Sequence, residues 1–126
     1  MTVTIEDVRA LAAGLPRSYE VVVRGRVKFR VGQIVYLAFS GDEKELGFAF
    51  PKEERDAALE TFPEKFIRPR PSDMRFQWLE VRLEAIDTDE LRELVFDAWR
   101  MVVPKKLAAL SDDELLQLAD NRTSAE

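Results

Sequence analysis

The spacing of apolar residues changes twice along this chain, and the changes delimit its predicted elements. Apolar side chains in residues 5–14 recur every three or four positions, as on one face of a helix that ends before Pro16. From residue 19 they largely alternate with polar ones, as in half-buried strands, and only residues 34–39 are apolar at both parities, as a central strand covered on both faces would be. We therefore predict a first helix and then three or four antiparallel strands, up to residue 50.

Helical spacing returns in the second half of the chain. Residues 52–62 lie between two prolines and have the composition of a helix, and a strand over residues 65–70 would be confined to a sheet edge by Pro69. Residues 77–83 alternate as a last strand. Asp87 and Glu90 then predict the start of a long helix with a wide apolar stripe that ends before Pro104. A short helix over residues 111–119 and a frayed end over 121–126 complete the prediction.

This order of elements predicts an α+β fold, in which an antiparallel sheet packs against the N- and C-terminal helices. The length of 126 residues fits a single domain that spans residues 1–126. A chain of this size can bury about two thirds of its unfolded surface, so it requires no disulfide or metal for stability.

Composition narrows the classes of function. The sequence contains neither cysteine nor histidine, which removes disulfides, thiolate sites, the usual general base near neutral pH and the commonest metal ligand. It also lacks the glycine-rich phosphate-binding motifs and the nucleophile elbow of hydrolases. We therefore expect no catalytic activity, no cofactor and no metal site.

The chain is expected to be cytoplasmic and to have no membrane partner. Its first residues lack the basic start of a signal peptide and already include Glu6 and Asp7. No apolar run approaches the roughly 20 residues that a membrane-spanning helix needs.

Charge is segregated along the chain, although the net charge is −5. Residues 17–30 carry a local charge of +4, residues 65–75 carry +3, and residues 80–97 carry −5. If residues 24–30 form one extended run, their basic side chains share a face, because strand side chains alternate. That face could contact the phosphates of DNA, with a second contribution from the later basic segment. The candidate nucleic-acid-binding residues are Arg24, Arg26, Lys28, Arg30, Arg68 and Arg70.

Each candidate site has a structural alternative. The basic strand could be a solvated outer face paired with acidic neighbours. Trp78 and Trp99 could line a pocket for a small ligand or a protein partner, or could simply belong to the core. The acidic residues 87–97 could bind a cation such as iron, but they are better explained by helix capping and solubility.

Several stretches, in order, resemble the YjbR/MmcQ family of small bacterial proteins. Residues 5–15 are similar to the family's opening "DVRALALALP" pattern, and residues 29–32 to its "FRV-G" turn. Residues 78–83 match "W-x-x-VRL", residues 89–94 match "DELREL", and residues 97–107 match a "DAWR…PKRL" ending. The resemblance covers the chain from about residue 5 to residue 107, with Gln33 where the family commonly has lysine.

The resemblance implies a compact α+β domain similar to the frataxin homologue CyaY, in which a strongly bent antiparallel sheet packs against helices. The family is commonly described as DNA-binding because of a double-wing likeness of its hairpins. Together with the composition, this favours a non-enzymatic binding protein with DNA as its partner. The alternative is a protein or small-ligand partner bound near the tryptophans, with no nucleic-acid role. Oligomeric state is not predicted.

Overall fold

Six strands and five helices follow one another in the structure, a computed structural model that describes residues 3–124, with side chains described as far as residue 119. The strands are β1 (Ser18–Val23), β2 (Arg26–Val31), β3 (Ile34–Phe39), β4 (Glu45–Ala49), β5 (Phe66–Ile67) and β6 (Trp78–Arg82). The helices are α1 (Ile5–Ala12), α2 (Lys52–Thr61), α3 (Thr88–Arg100), α4 (Lys105–Ala108) and α5 (Asp112–Ser124).

The strands form one sheet in the order β1-β2-β3-β4-β6-β5, and every neighbouring pair is antiparallel. This confirms the α+β prediction. The first four strands are consecutive neighbours because short turns connect them. Strand β5 follows α2 and lies at the far edge, as predicted, but it covers only Phe66–Ile67 of the predicted residues 65–70, so Pro69 lies outside it. A register shift between Phe29 and Arg30 in the β2–β3 pair interrupts the regular ladder, and such irregularities bend a sheet.

The hydrophobic core lies on one face of this sheet, where α3 packs against β3 and β4 and also contacts α1. Its largest fully buried side chains include Trp99, Tyr36 and Phe29. The start of α3 follows the capping prediction, since the Asp87 side chain accepts a hydrogen bond from the Glu90 backbone N–H at 2.9 Å. The helix is thus fixed at its N-terminus and covers the sheet, as its wide apolar stripe predicted.

Two predictions about the elements are wrong. The last helix continues to Ser124 instead of ending near Ala119. Its residues Leu115 and Ala119 are buried, and α5 packs against α1. Residues 125–126 of the predicted frayed end lie outside the described residues. Strand β3 is buried at both parities over residues 36–39, but it is not covered at every apolar position, since Ile34 is exposed. No helix within residues 3–124 has both the length and the apolar composition needed to cross a membrane.

Candidate functional site

The basic residues of β2 do lie on one face of the sheet, which we call the outer face because it is opposite the core. Arg26, Lys28 and Arg30 alternate there with the buried residues Val27 and Phe29. Successive side chains of a strand point to opposite faces, so burial of the apolar positions in the core places the intervening basic positions on the outer face.

Arg24 does not belong to this face, which corrects the expectation of one extended run from residue 24 to 30. Arg24 and Gly25 have positive φ values of 53° and 78° and form the two-residue turn between β1 and β2. Turns with two positive φ values match the twist of a hairpin, and this geometry reverses the chain before the basic strand begins. Arg24 is therefore an exposed turn residue.

The three cations of β2 make no ion pair with any of the described residues. Arg26 donates from Nε to the backbone carbonyl of Phe39 at 2.9 Å, and Lys28 has neither a hydrogen bond nor an ion pair within the described part of the chain. The Nε of Arg30 is buried without a hydrogen-bond partner. The predicted alternative, in which acidic neighbours pair with this strand, is not what the side-chain contacts show.

The second basic segment is divided between two environments. Arg68 is exposed and pairs with Asp56 of α2 at 3.3 Å. Arg70 pairs with Asp73 at 3.3 Å and lines the same groove as Arg26 and Lys28, although it follows β5 at the opposite edge of the sheet. Arg70 therefore shares a groove with the basic strand, whereas Arg68 does not line it.

A groove of about 910 Å³ runs over the outer face of the sheet. We call it the sheet groove. Its volume falls in the range of roughly 300–1,000 Å³ that is typical of small-molecule sites. The charged and aromatic residues that matter most for its chemistry are Arg26, Lys28, Arg70, Asp73, Trp78 and Glu80.

The strand register places small residues across the middle of the sheet groove. Lys28 pairs with Ala38, Ala38 with Gly47, and Gly47 with Glu80. Paired residues share a face, so these four form one row from a cation to a carboxylate. The row spans three inter-strand spacings of ~4.8 Å each, or about 14 Å between the Cα atoms of Lys28 and Glu80.

Trp78 lies against this row because Gly47 has no side chain. A Cβ placed on Gly47 would lie 2.6 Å from Cζ2 and 2.7 Å from Nε1 of the Trp78 indole. Trp99, in contrast, is fully buried on the core side, and its indole N–H donates to the backbone carbonyl of Pro16 at 2.9 Å. The two tryptophans therefore do not line one pocket, and only Trp78 belongs to the sheet groove.

Glu80 is half-buried at one side of the row, and its side chain has no hydrogen bond or ion pair within the described residues. Its burial raises the pKa of its carboxyl group, and the nearby carboxylates of Glu45 and Asp73 raise the pKa further. The cations Arg70 and Arg26 oppose this effect without cancelling it. The sheet groove therefore carries both signs of charge, with three cations and three carboxylates among its lining residues.

A family model described as YjbR matches residues 13–101, which is more than half of the chain. The chain belongs to the YjbR family. This confirms the resemblance found in the sequence. The crystal structure of Deinococcus radiodurans protein DR2400, whose family-model domain is DUF419, is similar with a TM-score of 0.70 and 20% identity over 91% of this chain and 87% of that chain. At that identity the similarity shows the fold alone, and no curated protein matched the chain.

One residue that the sequence did not point to, Arg55, holds the backbone of the segment that carries Trp78 in this YjbR-family protein. Arg55 of α2 is only 5% exposed and donates to three backbone carbonyls, those of Met74, Phe76 and Trp78, at 2.7, 3.1 and 3.0 Å. It thereby holds the segment that leads into β6 and carries Trp78. A single arginine in a polar helix gives no pattern from which this role could have been predicted.

The acidic residues 87–97 are engaged in ways that agree with capping and solubility. Asp87 caps α3, Glu90 pairs with Lys65, and Asp97 pairs with Arg100. Among the residues that the structure describes, no group of three or more carboxylates is arranged to hold a metal ion.

Proposed function

We propose that this YjbR-family chain is a non-enzymatic binding protein that takes a small organic ligand in the sheet groove. The observation that carries the proposal is the convergence of Trp78 with charges of both signs over a floor of small residues, Ala38 and Gly47. Small-molecule sites typically combine an apolar or aromatic surface with a few polar groups that fix orientation. The protein is proposed to act in the cytoplasm, which fractionation of cells with antibody detection tests.

Catalysis is not part of the proposal because the sequence supplies no histidine or cysteine. The titratable groups of the sheet groove are carboxylates, arginines and a lysine, a set that can orient a ligand through hydrogen bonds and charge. A bound compound should accordingly be recovered unchanged after prolonged incubation with the protein.

The two tryptophans provide an internal comparison for testing the site. In a ¹⁵N-labelled sample, each indole N–H gives a separate NMR signal, and a Trp78→Phe variant assigns them. Screening a library of small charged aromatic compounds should shift the Trp78 signal while the Trp99 signal, from the core, stays fixed. The proposal fails if no compound moves the Trp78 signal, or if the shifts cluster away from the sheet groove.

DNA binding is a second candidate, favoured by the outward face of β2 with its unpaired cations. Phosphate contacts require such cations, and each contact adds to the salt dependence of binding. Against it, Glu45, Asp73 and Glu80 line the same groove and would repel a phosphate backbone. This balance makes the small ligand the better-supported function.

A salt titration of duplex DNA binding distinguishes the two candidates. If DNA is the ligand, changing Arg26 and Arg30 to alanine should weaken binding uniformly across sequences and reduce the salt slope by about two. The matched control changes Lys105 and Lys106 of α4, which are exposed on the helical side, to alanine. Absence of binding at low salt, or equal effects of both double variants, would rule DNA out as the ligand of the basic strand.

A further inference from the structure

The sheet groove has opposite charges at the two ends of one cross-strand row. Lys28 lies at one end and Glu80 at the other, and Ala38 and Gly47 separate them. Because Gly47 has no side chain, the Trp78 indole lies over it and forms the surface between the two charged groups. A ligand resting on this indole would have Lys28 on one side and Glu80 on the other.

Both end groups lack partners among the described residues. Lys28 makes no hydrogen bond or ion pair there, and neither does Glu80, although both are half-buried. A half-buried charge without a partner is disfavoured by desolvation, and for Glu80 the consequence is a raised pKa. A ligand ammonium group would relieve that cost at Glu80, and a ligand anion would pair with the free ammonium of Lys28 at the other end.

The neighbouring residues add to the separation of positive and negative charge along the row. Arg26 lines the groove beside Lys28 on the same strand, and Glu45 lies near Glu80. Two cations also act on Glu80, since Arg70 and Arg26 both lower the pKa of its carboxyl group, but the Arg70 guanidinium is paired with Asp73 at 3.3 Å and Arg26 belongs to β2. The free charges are thus cationic on the β2 side and anionic on the β6 side.

We propose that the ligand of the sheet groove is a small dipolar molecule, with an anionic group bound by Lys28 and Arg26, an ammonium group bound by Glu80, and a flat apolar body between them against Trp78. This inference rests on the proposed function and specifies the class of ligand. Because the row is electrically balanced, a ligand with one sign of charge satisfies only half of it. A polyanion such as DNA would place phosphates beside Glu80.

Three related compounds separate these possibilities: 4-(aminomethyl)benzoate, which has both charges, benzoate, which has only the anion, and benzylamine, which has only the cation. The Trp78 indole N–H signal and calorimetry give the Kd of each. The dipolar compound should bind roughly tenfold more tightly than either single-charge compound. In Lys28→Met its affinity should fall towards that of benzylamine, with Arg26 keeping part of the contact to the anion, and in Glu80→Gln it should fall to that of benzoate.

The outcomes distinguish the class of ligand from the site itself. If benzoate and benzylamine shift Trp78 but the dipolar compound binds no more tightly, the dipolar inference is overturned and the groove remains a ligand site. If each variant weakens all three compounds equally, the charges act without regard to ligand polarity and the inference is again overturned. If none of the three moves the Trp78 signal while the Trp99 signal reports a folded core, both the inference and the site are contradicted.

Discussion

Replacement of Arg55 by methionine should destabilise the protein and disturb the sheet groove together. The guanidinium makes three hydrogen bonds to the carbonyls of residues 74, 76 and 78, and its Nε is buried without a partner. A hydrogen bond from a charged donor contributes about 1.5–3 kcal/mol. Methionine fills similar space, yet it leaves the three carbonyls without this donor.

The loss is smaller than the sum of the three bonds, because removing a buried charge also removes its desolvation cost of several kcal/mol. We therefore expect the free energy of unfolding to fall by about 2–4 kcal/mol, or roughly 10 °C in Tm for a chain of this length. Chemical denaturation followed by tryptophan fluorescence measures the change. The Trp78 indole signal should also shift, since residues 74–78 lose their anchor.

Arg68 provides the matched control for this prediction. It is exposed and pairs with Asp56 at 3.3 Å, so Arg68→Met should change stability by less than about 0.5 kcal/mol. If Arg55→Met is as mild as the control, or leaves the Trp78 signal unchanged, the carbonyl bonds of Arg55 do not position the groove.

Three further changes test separate parts of the structure. Glu80→Gln should raise Tm at neutral pH. The pKa of the Glu80 carboxyl is raised in the folded protein, so the wild type loses stability as the pH rises through that pKa, whereas glutamine stays neutral. The gain should vanish below the ordinary glutamate pKa of about 4.3, and a gain independent of pH would contradict this assignment. Asp87→Ala removes the cap on Glu90 N–H and should cost about 1 kcal/mol in urea unfolding, whereas no loss would show that α3 needs no cap. Gly14→Ala would place a Cβ 2.5 Å from the Cα of Ala119, so α5 must move and Tm should fall by several degrees; an unchanged Tm would refute this contact.

The sequence was most informative where a single local pattern, such as strand alternation or a helix cap, determines the local conformation. Alternation on β2 correctly predicted that Arg26, Lys28 and Arg30 share a face, because a buried core selects one parity. The cap at Asp87 likewise predicted the start of α3 to within one residue. Such local patterns need no knowledge of distant parts of the chain.

The composition of the site depended on contacts that no local pattern encodes. Trp78 shares the polar parity of Glu80 on β6, whereas Trp99 lies on the apolar stripe of α3. The sequence therefore indicated that the two tryptophans differ in environment, but it did not exclude a pocket lined by both. Arg70 and the basic strand line the same groove only because segments distant in sequence pack together, which no local pattern encodes. The turn at Arg24 requires the conformation of two residues with positive φ, which a charge pattern does not reveal.

The most direct test of the sheet groove is to change its floor without touching its charges. In Gly47→Ala, the new Cβ would lie 2.6 Å from the Trp78 ring and force the indole to move, whereas Gly41→Ala adds a Cβ at a groove residue with nothing within 4 Å. The measurement is the Kd, by ligand-observed NMR, of the compounds that shift Trp78 in wild type, with the Trp99 signal confirming the fold. The account predicts at least roughly tenfold weaker binding for Gly47→Ala and wild-type binding for Gly41→Ala; wild-type binding by both variants, with the Trp78 signal displaced in the first, would contradict it.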